Sequence, residues 1–196
     1  MESEKYVYVI LSRSQTLLSR AIRALNGDQY THAAISLDRR LEYMFSFGRR
    51  RACNPFVGCF KRESMDEGIY KAYHRIPGVV LEIPVTQSQY ERIHLEIESF
   101  LLNSHNYDYN VSGLLGYMFN TAWEDDSRFF CSEFVYHILR KSGVCDWGKP
   151  RGSVRPQNLL NLNGRLIFEG NLKEYAYADA ALPLTIGTGR RFFYSM

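Results

Sequence analysis

Phe129-Phe130-Cys131-Ser132-Glu133-Phe134-Val135 is the stretch on which the reading of this chain turns. Two aromatic residues close an extended run. From Cys131 onward, Phe134, Val135, Ile138 and Leu139 recur at helical spacing. The pattern predicts an amphipathic helix that opens at or beside Cys131 and stops at Ser142-Gly143. A thiol attacks as its thiolate, and a helix N-terminus, with its unpaired N–H groups and positive dipole end, favours an anion. The same N–H groups are candidate oxyanion donors. Cys131 also shares the apolar face of the helix, and the helix taken alone favours a small core residue. His137, six residues on, falls on a different face and does not supply a base.

A second candidate lies about a hundred residues upstream, in Tyr30-Thr31-His32-Ala33-Ala34-Ile35. Residues 31–37 read as a strand, 38–40 as a tight turn and 41–47 as a returning strand, a hairpin with His32 on its first arm. Ala33 and Ala34 leave room beside the imidazole. A general base needs a partner that fixes its tautomer. On the returning arm Glu42 is the only carboxylate and Ser46 the only non-phenolic hydroxyl. A two-residue turn sets His32 across from Phe45 or Ser46, and a looser turn brings other residues opposite.

Residues 6–11 read as a first strand, and 14–25 as a helix ended by Asn26-Gly27. Residues 48–67, with Arg49-Arg50-Arg51, an Asn-Pro and two glycines, read as a long irregular loop. Residues 68–74 and 79–85 read as strands divided by a Pro77-Gly78 turn. Thr86 and Gln89 form a capping box for a helix with Tyr90, Ile93, Ile97, Phe100 and Leu101 on one face. A short helix is predicted over 114–119 and a late strand or turn over 165–168 and 172–175. The apolar tail, 180–196, has no clear period.

With 196 residues, 45% of them apolar, the chain is expected to form a single domain over 1–196 with its own core. A net charge of +3 without a basic stripe argues against nucleic acid, and the aromatic residues are better explained by core packing. No stretch approaches the apolar length of a transmembrane segment. The polar start lacks a signal-peptide core, so the four cysteines are expected as reduced thiols in a cytoplasmic protein. Cys53 and Cys59, with five residues between them and His74 beyond, lack structural zinc spacing, and no phosphate loop occurs. No cofactor and no metal are expected, and the oligomeric state is left open.

The order Thr31-His32-Ala33-Ala34-Ile35, then Tyr107-Asp108-Tyr109-Asn110, then Phe130-Cys131-Ser132-Glu133-Phe134-Val135 resembles the circularly permuted members of the NlpC/P60 superfamily. In these papain-like hydrolases the histidine strand precedes the cysteine helix. The likeness spans residues 6–143. It implies an α+β fold, with an antiparallel, barrel-like sheet packed against helices. It implies Cys131 as nucleophile, His32 as base, and Glu42 or Ser46 as the residue orienting the imidazole, with Glu42 preferred because a carboxylate stabilises an imidazolium better. Tyr107 and Asp108 are implied at the substrate. The implied activity is thiol-dependent hydrolysis of a small peptide, amide or acyl substrate. The alternatives are acyl transfer to a lipid or amine acceptor, or an inactive module that binds a small ligand.

Overall fold

Among the described residues six strands form one antiparallel sheet in the order β4-β3-β2-β1-β5-β8. Its members are β1 (Lys5–Ser12), β2 (His32–Ser36), β3 (Met44–Arg51), β4 (Asn54–Glu63), β5 (Pro77–Val85) and β8 (Arg165–Asn171). The helices are α1 (Gly68–Ala72), α2 (Gln87–Leu102) and α3 (Cys131–Lys141), and a parallel pair of short strands, β6 (Asp108–Tyr109) and β7 (Arg128–Phe129), leads into α3. The computed structural model describes residues 5–13, 20, 24, 27–51, 54–109 and 127–175. The helices expected over 14–25 (residues 20 and 24 apart) and 114–119, and the 180–196 tail, lie outside these. Among the described residues no helix is long and apolar enough to cross a membrane.

The fold is α+β, as the sequence predicts, but the sheet is open. Among the described residues β4 and β8 end the strand order and do not pair with each other, so the barrel-like closure expected from the resemblance is corrected to an open sheet. Alternation along the central strands separates two apolar layers. Val7, Val9, Leu11, Ala33 and Ile35 pack in one cluster with Ile93, Ile97 and Phe100 of α2 and with Phe134, Val135, Ile138 and Leu139 of α3. Tyr8, Ile10, Ala34 and Met44 face the other way, against Tyr70 of α1, Ile76, Leu172 and Tyr175. The Thr86–Gln89 capping box forms as read, with Thr86 Oγ1 accepting from Gln89 N at 3.2 Å and Gln89 Oε1 from Thr86 N at 2.9 Å.

Three local expectations change. The stretch 48–67 is mostly a hairpin: β3 continues through Gly48, and β4 returns with Met44 opposite Glu63 and Phe47 opposite Phe60. The arginines and glycines of this stretch mask its alternation. Residues 68–72 form α1, a helix entered at Gly68 with φ of 54°. Pro77-Gly78 opens β5 and makes no turn. Proline is tolerated as a first strand residue, where its missing N–H breaks no ladder bond, and its carbonyl accepts from Arg13 N at 2.9 Å.

Gly78 is required by close approach. A Cβ there would lie 2.5 Å from the Leu11 carbonyl oxygen and 2.6 Å from Leu172 Cδ1. Gly78→Ala is therefore expected to destabilise the chain by about 1–3 kcal/mol, as overpacking does. Urea unfolding measures it, and an unchanged midpoint contradicts the packing described.

Candidate active site

Cys131 and His32 are each the first residue of their element, α3 and β2, and the two meet. The Cys131 side chain lies close enough to the His32 ring to act on its charge. His32 Nε2 lies 2.9 Å from Glu63 Oε2. All three residues are buried: Cys131 is 7% exposed, His32 8% and Glu63 4%.

The third group is thus neither residue expected from the returning arm. The connection from β2 to β3 is longer than a two-residue turn. Asp38 organises it, accepting from Glu42 N at 3.1 Å and Tyr43 N at 2.9 Å, with Leu41 at a φ of 60°. Glu42 is left in this loop, exposed. The observed pairs, Ile35 with Phe45 and Ser36 with Met44, carry the register so that His32 falls beside Gly48 rather than Ser46. The Ser46 hydroxyl donates to the Ala33 carbonyl at 2.7 Å. The carboxylate comes instead from one strand further out. Glu63 pairs with Met44, and its side chain runs along the sheet to the space at Gly48, where a Cβ would lie 3.3 Å from Glu63 Oε1 and 2.7 Å from Lys61 Cε. Gly48 leaves the room through which Glu63 reaches the imidazole.

The charges reinforce one another. Burial alone would lower the pKa of His32, but the Glu63 carboxylate, and after it the contact with Cys131, raise it above its ordinary value. Burial alone would raise that of Glu63, yet facing His32, with Lys61 adding to the effect, holds it below the usual carboxylate range. Lys61 Nζ stands 3.3 Å from Glu63 Oε1. The resulting arrangement is an imidazolium beside a carboxylate and a sulfur.

The residues after Cys131 hold the helix start in place. Ser132 Oγ donates to the Val154 carbonyl at 2.7 Å. Phe130, at the N-cap, has no side-chain acceptor, and Glu133 Oε2 instead accepts from Phe130 N at 3.3 Å. Glu133 Oε1 accepts from Arg151 Nε at 3.0 Å, and the Arg151 guanidinium lies 4.7 Å from the Phe129 ring centre. Phe134, Val135, Ile138 and Leu139 are fully buried, worth on the order of 1.5–3 kcal/mol each. The start of a helix is the end at which N–H groups lack an intrahelical carbonyl, and Cys131 stands at that end.

Tyr107 is half-buried, and its ring packs in the aromatic core, 4.5 Å from Phe100, 6.1 Å from Phe129 and 6.4 Å from Phe47 between ring centres. Asp108 opens β6, whose backbone pairs with Arg128 just ahead of Cys131. The Tyr-Asp segment is thereby tied to the strand that delivers the thiol. His137 is half-buried and packs edge-on against Phe129 at 5.2 Å, away from the base position. The sequence does not single out Glu63, Lys61, Gly48 or Arg151. Glu63 closes a run of three charged residues, Lys61-Arg62-Glu63, which reads as a solvated face.

The ion pair makes stability depend on pH. The lowered pKa of Glu63 contributes stability that is present above its ordinary pKa, about 4.3, and is lost as pH falls through the lowered value. The raised pKa of His32 contributes stability that is full below about 6.5 and is lost as pH rises toward the raised value. Glu63→Gln should therefore cost most between about pH 4.5 and 6.5, roughly 3–5 kcal/mol for breaking a buried pair. Urea unfolding at several pH values should show the gap from wild type narrowing at both extremes. A gap independent of pH contradicts the pairing.

No family model matches the chain, and comparison with curated proteins and with solved structures gives no match.

Proposed function

We propose that this chain is a thiol-dependent hydrolase of small amides, peptides or acyl compounds, built as a permuted, papain-like NlpC/P60-type domain. Cys131 is the nucleophile, His32 the acid–base group and Glu63 the residue that orients and charges the imidazole. The observation that carries the reading is the buried cluster of Glu63, His32 and Cys131, with the carboxylate 2.9 Å from Nε2 and the thiol close enough to act on the same ring. A structural cysteine needs no such partner. Burying a charged pair beside it is costly, and most folds avoid it.

The chemistry follows from the geometry. With the Cys131 proton already resting on the His32 imidazolium, sulfur bonds to the substrate carbonyl carbon while the C=O electron pair moves onto oxygen. The N–H groups of the first turn of α3 are placed to receive that oxyanion. As the tetrahedral species collapses, the C–N or C–O bond breaks, and the leaving amine or alcohol takes its proton from the imidazolium. Water then gives a proton to His32 and attacks the thioester. Loss of the thiolate from the second tetrahedral species frees the acid and restores the starting state. Glu63 stays ionised throughout, holding Nε2–H and stabilising the positive ring. An amine or lipid alcohol in place of water turns the same cycle into acyl transfer.

Alkylation tests this directly. At neutral pH iodoacetamide should modify Cys131 well before Cys145, whose thiol is pushed up to about 11 by burial and then by the Asp146 carboxylate. His32→Ala should slow modification of Cys131 by about 10²-fold or more, the scale of a positioned base. Peptide mapping by mass spectrometry reads both sites. Labelling of Cys131 no faster than Cys145, and indifferent to His32, would sink the proposal.

A further inference from the structure

The buried pair leaves one side of the Glu63 carboxylate unexplained. Oε2 is taken by His32, whereas Oε1 is buried without a hydrogen bond of proper geometry, its Lys61 neighbour standing at 3.3 Å. Among the described residues three other side-chain oxygens share this condition, one of them, Ser142 Oγ, at the far end of α3 and two beside Glu63. The hydroxyls of Ser12 and Tyr70 are buried without a hydrogen-bond partner, and both residues are only 1% exposed. Glu63 Oε1 and these two hydroxyls belong to one place. Ser12 sits directly across the β1–β2 ladder from His32. Tyr70 projects from α1, seven residues after Glu63, into the layer that holds Ala34 and Met44. The Tyr70 hydroxyl is close enough to Ser12, Glu63 and Cys131 to be influenced by each.

The chemistry of the three is complementary. A carboxylate oxygen accepts only, while the two hydroxyls can each donate. Burial first, and the Glu63 charge after it, hold the Tyr70 phenol well above its ordinary range, so it keeps its proton and acts as a donor. An unpaired buried polar group costs about 1–3 kcal/mol, and two buried hydroxyls beside a carboxylate oxygen met only by an ion pair call for a common explanation. Small rotations of the Glu63 carboxyl and the phenol would satisfy donor and acceptor together. Among the described residues the charged and titratable groups facing Glu63 are His32 from β2, Lys61 from β4 and Tyr70 from α1.

We infer that Tyr70, backed by Ser12, is a positioning residue for the site: its hydroxyl holds Glu63 Oε1 so that Oε2 stays aimed at His32. It acts through Glu63 and touches no reacting atom. The inference rests on the Cys131–His32 reading above. Without the phenol the carboxylate can turn toward Lys61, and the imidazole then loses part of its support and gives up its proton at lower pH.

Tyr70→Phe removes one oxygen from a packed ring. The test is the pH profile of iodoacetamide modification of Cys131, with circular dichroism confirming the fold. Tyr70→Phe should lower the neutral-pH rate roughly 10- to 150-fold, the equivalent of one hydrogen bond to a charged group, and move the high-pH break of the profile to lower pH. Should Tyr70→Phe fail to fold, Ser12→Ala is the deciding variant, with a smaller drop and a shift in the same direction. A folded deciding variant with a profile within twofold of wild type at every pH overturns the inference, as does a rate loss without movement of the break. His32→Ala run in parallel separates the two claims. A large effect there beside a neutral Tyr70→Phe removes only the role of Tyr70, whereas no effect of His32→Ala removes the catalytic reading itself.

Discussion

The buried ion pair between His32 and Glu63 is the constraint around which this structure is arranged. Two ionised side chains removed from water lose several kcal/mol of hydration each, and only close, well-directed contact recovers it. The 2.9 Å approach of Nε2 to Oε2 supplies that contact. Its surroundings are consistent with a pair that must stay charged. Gly48 withholds a side chain where Glu63 has to pass, Lys61 adds a cation at the other oxygen, and Tyr70 presents a phenol that keeps its proton. The pair sits at the end of β2, a strand paired on both sides within the sheet, so its mount is rigid.

The second half of the site is fixed by a different means. Cys131, Ser132 and Glu133 are consecutive, and each has its own anchor: the His32 ring, the Val154 carbonyl and the Arg151 guanidinium. The helix start is therefore held at three points around its first turn, while its apolar face is buried against the sheet. Breaking the Glu133–Arg151 pair would leave a carboxylate stranded at 0% exposure, a severe penalty. Polar anchors set the direction of the first turn and apolar burial sets the depth of the helix. Together they bring a thiol on a helix to a histidine on a strand about a hundred residues earlier in the chain.

How much of this was legible in the sequence depended on the range of the signal. α2, α3 and β1 carry periodicity or capping within a dozen residues, and each was read correctly. The pairing of His32 with Cys131 could be anticipated only through resemblance, because no local pattern links a strand to a helix so far away. Glu63 escapes notice for a related reason. The adjacent arm offers Glu42 and Ser46 as partners, but the loop organised by Asp38 moves the register, and the long Glu63 side chain crosses from the next strand. The stretch that carries Glu63 reads as a loop because arginines and glycines mask its strand period. Pro77-Gly78 misled in the opposite sense. Residues that usually mark a turn serve here as a strand start and a point of close backbone approach.

The central claim is that Glu63 keeps His32 doubly protonated beside the Cys131 sulfur. The ¹⁵N shifts of the His32 ring, followed by NMR from about pH 5 to 9, test it most directly, since the two ring nitrogens report protonation separately. The account expects both nitrogens of wild-type protein to remain protonated at neutral pH, and this signature to be lost in Glu63→Gln. A single neutral tautomer in the wild type at pH 7, unchanged by Glu63→Gln, would contradict it.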